Sequence, residues 1–558
     1  MALRSNFRPG SIEWAVRRAQ WRALGLTDAD MERPKIAVIN SSSRLSSCYS
    51  HLDELSKAVH EGIRDAGGIP FEVRTISPSD FIIGAGKKGR YILPSRDLLV
   101  NDVEVMVEGA QLDGMVCLSS CDKTTPAHLM AAVRLDIPTI LVIGGYQEWG
   151  VCGEGSYSGQ VVDIESVYES IGAFARGRIG LIDLRALTES AICSPGVCAG
   201  LATANTMHIL AETLGMALPG SAPIAATSPR LPSLAYEAGR RIVEMVEEGL
   251  RPRQVITAAS ITNAVKVAQA IGGSVNCVRH LAAIATEAEL DLDVVRLFEE
   301  SWSSVPLLCR IRPNGVHTIR NLEEAGGART VLKRLAPLLQ CDVPTVAGRP
   351  LGELIAETDE GDAQVVRPLQ DPYLRHGGLL VLRGNLAPDG AIVRVAGLRP
   401  DFRKQVVGPA RVFDDEEQAI AALASGRIGA GDVVVLRGMG PRGGPGTVFA
   451  AGFAAALVGA GLAEKVAVIT DGELSGLNRG LVVGQVMPEA ADGGPLALVE
   501  DGDQVSIDLE ARRIDMLVPE EKLRQRAPHS WPRADEERGW LRIYGKMVGP
   551  IQRGATLG

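Results

Sequence analysis

Lys35-Ile-Ala-Val-Ile-Asn40 is the first of four short apolar runs whose reading decides the fold. An amphipathic stretch over about 52–66 follows it, then the run Phe71-Glu-Val-Arg-Thr-Ile76. A helical pattern near 96–109 leads into Gly114-Met-Val-Cys-Leu118, and a helix from Ala127 leads into Thr139-Ile-Leu-Val-Ile143. Short apolar runs alternating with amphipathic helices predict a layered, mostly parallel sheet of the α/β class. In such a sheet, ligands collect beyond the carboxyl ends of the strands, so the loops after these runs are where chemistry is expected.

Residues 160–340 are dominated by helical periodicity, clearest over 204–214, 234–248 and 258–271, and read as a helical layer completing a first domain. From 342 to 371 the pattern weakens into a stretch containing Pro, Gly, Asp and Glu, which reads as a linker with a boundary near 370. This divides the chain into an N-terminal layered α/β domain, 1–370, and a C-terminal domain, 371–558. The second half holds the runs Gly378-Leu-Leu-Val-Leu-Arg383, Ala391-Ile-Val-Arg-Val395, Asp432-Val-Val-Val-Leu436, Lys465-Val-Ala-Val-Ile-Thr470 and Gln504-Val-Ser-Ile-Asp508. Only two helical stretches, 416–424 and 448–459, interrupt them, so a β-barrel-like domain fits best.

At 558 residues the chain exceeds what one hydrophobic core organises, which agrees with two domains. The net charge of -9, with its signs interspersed, offers no basic face for nucleic acid. No apolar run approaches the roughly 18 residues of a membrane span, and the first residues lack the apolar core of a signal peptide, so a cytoplasmic location is expected. Nine cysteines, an odd number in a long chain, argue against a disulfide framework.

Three of the cysteines lie in turn-like settings far apart in sequence: Ser-Ser-Cys48-Tyr-Ser-His51, Ser-Ser-Cys121-Asp122-Lys123-Thr124 and Pro195-Gly-Val-Cys198-Ala-Gly. Thiolates are soft ligands that hold iron–sulfur clusters, and three of them leave one iron position open. Cys48 and Cys121 each follow a predicted strand. Cys198 enters a helix start, where thiol pKa values fall, with Cys193 as its competitor. His51 is either a partner of Cys48 or a packing residue. Cys117 and Cys277 lie in apolar or helical patterns and read as core.

Alone, Cys121-Asp122-Lys123 reads as a polar loop. Asp80 follows another predicted strand, and with Asp122 it offers oxygen ligands to a hard divalent ion such as Mg²⁺. Asp471-Gly-Glu473-Leu-Ser475-Gly follows the run ending at Thr470, where Ser475 either closes a turn or, beside a metal, acts as a base. Gly438-Met-Gly440-Pro-Arg-Gly443 matches the dinucleotide pattern, but Pro441 and the following Gly444-Pro445-Gly446 prevent the helix that the pyrophosphate requires.

Taken together, Cys48-Tyr-Ser-His51-Leu, Ser79-Asp80, Cys121-Asp122-Lys123, Met130-Ala-Ala, Pro195-Gly-Val-Cys198, Thr203-Ala-Asn-Thr-Met207, Gly272-Gly-Ser, Gly384-Asn-Leu-Ala-Pro388, Gly443-Gly-Pro-Gly446, Thr470-Asp-Gly, Ser475-Gly and Pro488-Glu-Ala resemble one family over nearly the whole chain. It is that of the dihydroxy-acid dehydratases and their sugar-acid and 6-phosphogluconate dehydratase relatives. The resemblance implies a barrel-like domain closing over a cluster-bearing α/β domain, and a homodimer or homotetramer. It implies a [2Fe-2S] cluster on Cys48, Cys121 and Cys198, Mg²⁺ on Asp80, Asp122 and a carbamylated Lys123, and Ser475 as base. The implied reaction is dehydration of a 2,3-dihydroxy carboxylic acid, branched or a sugar acid, to a 2-keto acid.

Two departures bear on the Mg²⁺ site. Phe449 stands where the family has a metal-binding glutamate, and Met439 where a second acidic residue is frequent. Glu473 stands where relatives commonly carry a basic residue, and is expected to replace part of the missing ligand set. Leu477 and Gly145-Tyr-Gln-Glu-Trp149 also depart from the family, which leaves the substrate open. The alternative is a catalytically silent homologue that binds a cluster or ligand in a regulatory role.

Overall fold

The computed structural model describes residues 3–557, apart from 400, 445–449, 475, 477–478 and 532–535. Four parallel strands, β1 (Lys35–Asn40), β2 (Ile69–Arg74), β3 (Gly114–Ser119) and β4 (Thr139–Ile143), form a sheet in the order β2-β1-β3-β4. Every residue of β1, β3 and β4 is buried, as expected of parallel strands covered on both faces. β2, at the edge, buries only Val73, and it starts two residues before the run Phe71–Ile76 because Ile69 and Pro70 already pair with β1.

One layer is built on the helices Leu52–Asp65 and Arg230–Glu248, which cross in close contact. Gly62 and Gly239 permit that approach: a Cβ on Gly62 would lie 2.0 Å from the Tyr236 carbonyl oxygen, and one on Gly239 would lie 2.3 Å from that of Val59. The helix Thr124–Leu135 packs against Ile92–Gly109 and Asn276–Glu287. Helices continue through the region expected to be helical, up to Gly327–Leu335. Two short strands, β5 (Gly150–Val151) and β6 (Val161–Val162), pair there as a separate ribbon. The stretch 342–371 is a packed segment rather than a loose tether, with the helix Leu351–Ala356 and buried Val343, Val346, Val365 and Val366.

The second half forms a closed barrel of eight strands: β7 (Leu379–Gly384), β8 (Ala387–Arg394), β9 (Gln405–Phe413), β10 (Val433–Leu436), β11 (Ala467–Thr470), β12 (Val482–Met487), β13 (Gln504–Asp508) and β14 (Arg513–Met516). Their order around the barrel is β10-β11-β12-β8-β7-β14-β13-β9. Along β10, Val433 and Val435 join the barrel interior while Val434 and Leu436 face the core shared with the covering helices, the two-residue alternation of a strand buried on both sides. Five of these strands are legible as apolar runs. β9 is masked by Gly408-Pro409, β12 by Gly484 at a register shift against β8, and β14 by its four-residue length. The described part of the helix expected at 448–459 is Ala451–Ala460.

Candidate active site

Each chemical residue of the N-terminal domain sits on a loop or helix start beyond the sheet or among its covering helices, and those loops are tied to one another. Ser46, two residues before Cys48, donates its hydroxyl to Ser79 beside Asp80 at 3.0 Å, and Tyr49 donates its hydroxyl to the Pro78 carbonyl at 2.9 Å. Ser120 donates its hydroxyl to the Cys48 carbonyl, which fixes Cys121 beside the first loop. The third loop joins through Gly196 N–H to the Ser47 carbonyl at 3.3 Å and Val197 N–H to the Gly145 carbonyl at 2.9 Å. Asn205 then donates to the Cys198 carbonyl at 2.8 Å and the Gly200 carbonyl at 2.9 Å.

Cys48 and Cys121 are buried, Cys198 is partly exposed, and none of the three is in a disulfide. A hydrogen bond from the Cys121 thiol holds the Cys48 thiol below the usual range, and the same bond together with burial pushes Cys121 well up. Desolvation, with Cys121 close by, raises Cys198 well above an ordinary thiol. Three reduced thiols therefore meet where burial and their mutual charge make bare thiolates costly, so only a bound cationic centre would hold all three ionised, a donor set that fits a thiolate-bound cluster. Cys193 is exposed, its thiol on the Trp149 carbonyl at 2.8 Å, and His51 contacts the Gly144 carbonyl at 2.6 Å. Cys117, Cys277 and Cys309 are buried with thiols pushed up by burial, as core residues are.

Beside the thiols lies a charged cluster. Lys123, at the start of the helix Thr124–Leu135, contacts Asp122 Oδ1, and its Nζ lies 3.2 Å from Glu473 Oε2 and 3.7 Å from Asp80 Oδ2. Burial pulls the lysine down, but Asp122, Asp80 and Glu473 outweigh it and hold the ammonium above the usual lysine value. Burial, then Asp122, pushes Asp80 well up. Three carboxylates from three loops are thus gathered around one cation, the donor chemistry that suits a hard divalent ion. Among the described residues, no group of three His, Cys, Asp or Glu side chains is already closed to metal-holding geometry.

Glu473 arrives from the barrel, on the loop after β11, and is 0% exposed. The helix Asn276–Glu287 reads that loop from the other domain. Asn276 accepts from Leu474 N–H at 3.2 Å and donates to the Leu474 carbonyl at 2.9 Å, while Arg279 Nη1 and His280 Nε2 lie 3.8 and 4.0 Å from Glu473 Oε1. His280 is held well below the usual histidine range by burial and by Lys123, so it is neutral. Sequence reasoning missed Asn276, Arg279 and His280. Their signal is an arginine–histidine pair inside an otherwise apolar helix, just after Gly272-Gly-Ser.

Asp471 accepts the N–H groups of Gly438, Met439 and Ala490, and Glu489 accepts those of Arg442 and Gly443. The glycine-rich loop 438–443 therefore turns its amides onto the protein's own carboxylates. Ser475, Phe449 and Leu477 lie outside the described residues.

A parallel sheet with thiols and carboxylates beyond its strand ends, capped by a loop from a closed barrel, is the architecture of an enzyme rather than of a scaffold. Residues 33–354 match the family model described as dihydroxy-acid/6-phosphogluconate dehydratase N-terminal, and residues 364–555 match its C-terminal counterpart. The chain is 43% identical to the dihydroxy-acid dehydratase of Ignicoccus hospitalis over 98% of both chains. It is 41% identical to that of Pyrococcus abyssi, covering 99% of this chain and 100% of the relative, and 39% identical to that of Aquifex aeolicus over 100% of both. The chain belongs to the dihydroxy-acid/6-phosphogluconate dehydratase family, and it is a dehydratase, a carbon–oxygen lyase.

Proposed function

We propose that this enzyme dehydrates a 2,3-dihydroxy carboxylic acid, branched or a sugar acid, to the 2-keto acid. The observation that carries the reading is the convergence of Asp80, Asp122 and Glu473 on Lys123 beside the cysteine loops. Cys48, Cys121 and Cys198 would hold a [2Fe-2S] cluster, and Asp80, Asp122, Glu473 and Lys123, the lysine as its carbamate and not as the ammonium, would hold Mg²⁺. When bound, these groups supply Lewis acidity at the leaving hydroxyl and at the substrate's carboxylate and 2-hydroxyl. Ser475 takes the C2 proton, the 3-hydroxyl departs with a proton as water, and the enol left behind tautomerises to the keto acid. Asn276 holds Leu474, the residue before that serine, from both its N–H and its carbonyl. Glu473, buried against Lys123, stands in for part of the carboxylate set that Phe449 removes.

The same reading divides the chain at about 370, into 1–370 and 371–558, and places it in the cytoplasm as a homodimer or homotetramer. Its nine cysteines, all free thiols, suit a reducing compartment. Among the described residues no helix is long and apolar enough to cross a membrane.

Anaerobic purification with iron and sulfide quantified, followed by 2-keto acid detection across branched dihydroxy acids and sugar acids with added Mg²⁺, tests the proposal. About two irons per chain and keto-acid formation are expected. Iron-free protein would refute the cluster reading, and loaded protein without turnover on any of these acids would refute the catalytic one.

A further inference from the structure

Arg279 is a buried charge outside the set already assigned. It is 1% exposed, and its Nε, Nη1 and Nη2 have no hydrogen-bond partner among the described residues. A buried guanidinium normally presents its fork of donors to carboxylates or carbonyls, and leaving it unpaired is costly. Burial lowers this one, and Glu473 is the foremost group sustaining its charge, followed by Tyr544 and Glu489. Its Nη1 lies 3.8 Å from Glu473 Oε1, just beyond hydrogen-bond reach.

The two oxygens of Glu473 face different neighbours. Oε2 faces Lys123, while Oε1 lies between Arg279 and the neutral ring of His280. Asn276, Arg279 and His280 occupy positions i, i+3 and i+4 of one helix, the spacing that places side chains on a single face. One helix of the N-terminal domain thus meets the barrel's loop twice, hydrogen-bonding its backbone through Asn276 and setting the Arg279 guanidinium 3.8 Å from its carboxylate.

We propose that Arg279 is the positioning residue for Glu473, anchoring the Oε1 side of the carboxylate so that Oε2 is aimed at Lys123 and the cation site. The inference rests on the reading of Glu473 as a cation ligand, and its test separates the two. A positive charge near a cation site, acting only through space, weakens cation binding, so its removal tightens binding. A residue that aims a ligand does the opposite.

Mn²⁺ affinity, read by electron paramagnetic resonance on the cluster-loaded protein, is compared among wild type, Arg279→Met, Arg279→Lys, Glu473→Gln and the double variant Arg279→Met/Glu473→Gln. Arg279→Met is expected to weaken Mn²⁺ binding about tenfold or more, and the double variant to bind no worse than Glu473→Gln alone, since both changes remove one function. Arg279→Lys keeps the buried charge without the planar fork and is expected to fall between wild type and Arg279→Met. Unchanged or tighter Mn²⁺ binding by Arg279→Met overturns the proposal while leaving Glu473 as a ligand. Wild-type affinity in Glu473→Gln removes the ligand reading itself, and the proposal with it. If Arg279→Met does not fold, Arg279→Lys decides, with unchanged affinity overturning the proposal.

Discussion

His128 shows how one buried side chain ties stability to pH. It is fully buried, its Nδ1 meets the Ser119 hydroxyl at 2.8 Å, and burial pushes its pKa down to about 3. Its unfolded value is about 6.5, so below that pH the unfolded chain takes up a proton that the folded one refuses. The neutral ring's contribution is complete above pH 6.5 and is lost as pH falls toward 3, at up to about 1.4 kcal/mol per pH unit. The buried carboxyl groups Glu212 and Glu489, pushed up to about 7 and about 8, act with the opposite sign, so the wild-type profile alone isolates nothing. His128→Asn, which leaves an amide near Nδ1, removes only the histidine term. Between pH 7 and pH 5 the wild type is expected to lose about 2 kcal/mol more than the variant, roughly 1–2 °C in Tm for a chain of this size, and parallel melting profiles would refute the assignment. At this scale the sequence singled out residues by type, and the structure brings Cys48 beside Cys121 and Asp122 beside Lys123. The sequence was opaque where a role comes from a distant neighbour: nothing local to Asn276 shows that it reaches Leu474, 198 positions away.

Elements were legible wherever burial imposes a strong periodicity. β1, β3 and β4 are buried throughout, so their runs are almost wholly apolar. β9 pairs on both sides yet breaks its own pattern with Gly408-Pro409, because its burial alternates and closure of the barrel supplies what local propensity does not. The crossing of Leu52–Asp65 and Arg230–Glu248 carries the sharpest elemental prediction. Gly239→Ala places a methyl group 2.3 Å from the Val59 carbonyl oxygen, a backbone atom that cannot rotate aside. The two helices must separate, at a cost of about 2–3 kcal/mol, whereas an alanine on a helix ordinarily helps. Glu247→Ala, exposed near the end of the same helix, is the control and is expected to be close to neutral. Equal Tm values for the two variants would show that the helices have room to spare.

At the scale of the molecule, the loop after β11 on one domain must be held against the thiol and carboxylate loops of the other, and Arg394 spans that join. From the end of β8 it donates to the Leu201 carbonyl at 2.8 Å and the Gly272 carbonyl at 3.2 Å, both in the N-terminal domain, and to the Gly476 carbonyl at 2.7 Å, next to Ser475. Leu201 lies three residues after Cys198, and Gly272 four before Asn276, so one guanidinium links the third cysteine loop, the start of the helix that grips Leu474, and the serine loop. None of this is visible in Ala391-Ile-Val-Arg-Val395, which reads only as a strand. The partners are carbonyl oxygens, and backbone acceptors leave no trace in side-chain identity. Arg394→Met fills similar space but strands the Leu201 and Gly476 carbonyls, while Gly272 keeps the Asn314 amide at 2.7 Å, and each stranded carbonyl costs about 1–3 kcal/mol where water cannot replace the donor. The loss falls at the join and not within either core, so each domain keeps its own packing while their coupling weakens. Calorimetry of the variant is expected to resolve two transitions where the wild type shows one, with keto-acid formation down at least tenfold because the serine loop loses its tie to the thiol-bearing domain. A single transition with wild-type turnover would mean that Asn276 and the apolar contacts alone hold the domains in register, with Arg394 merely filling the gap between them.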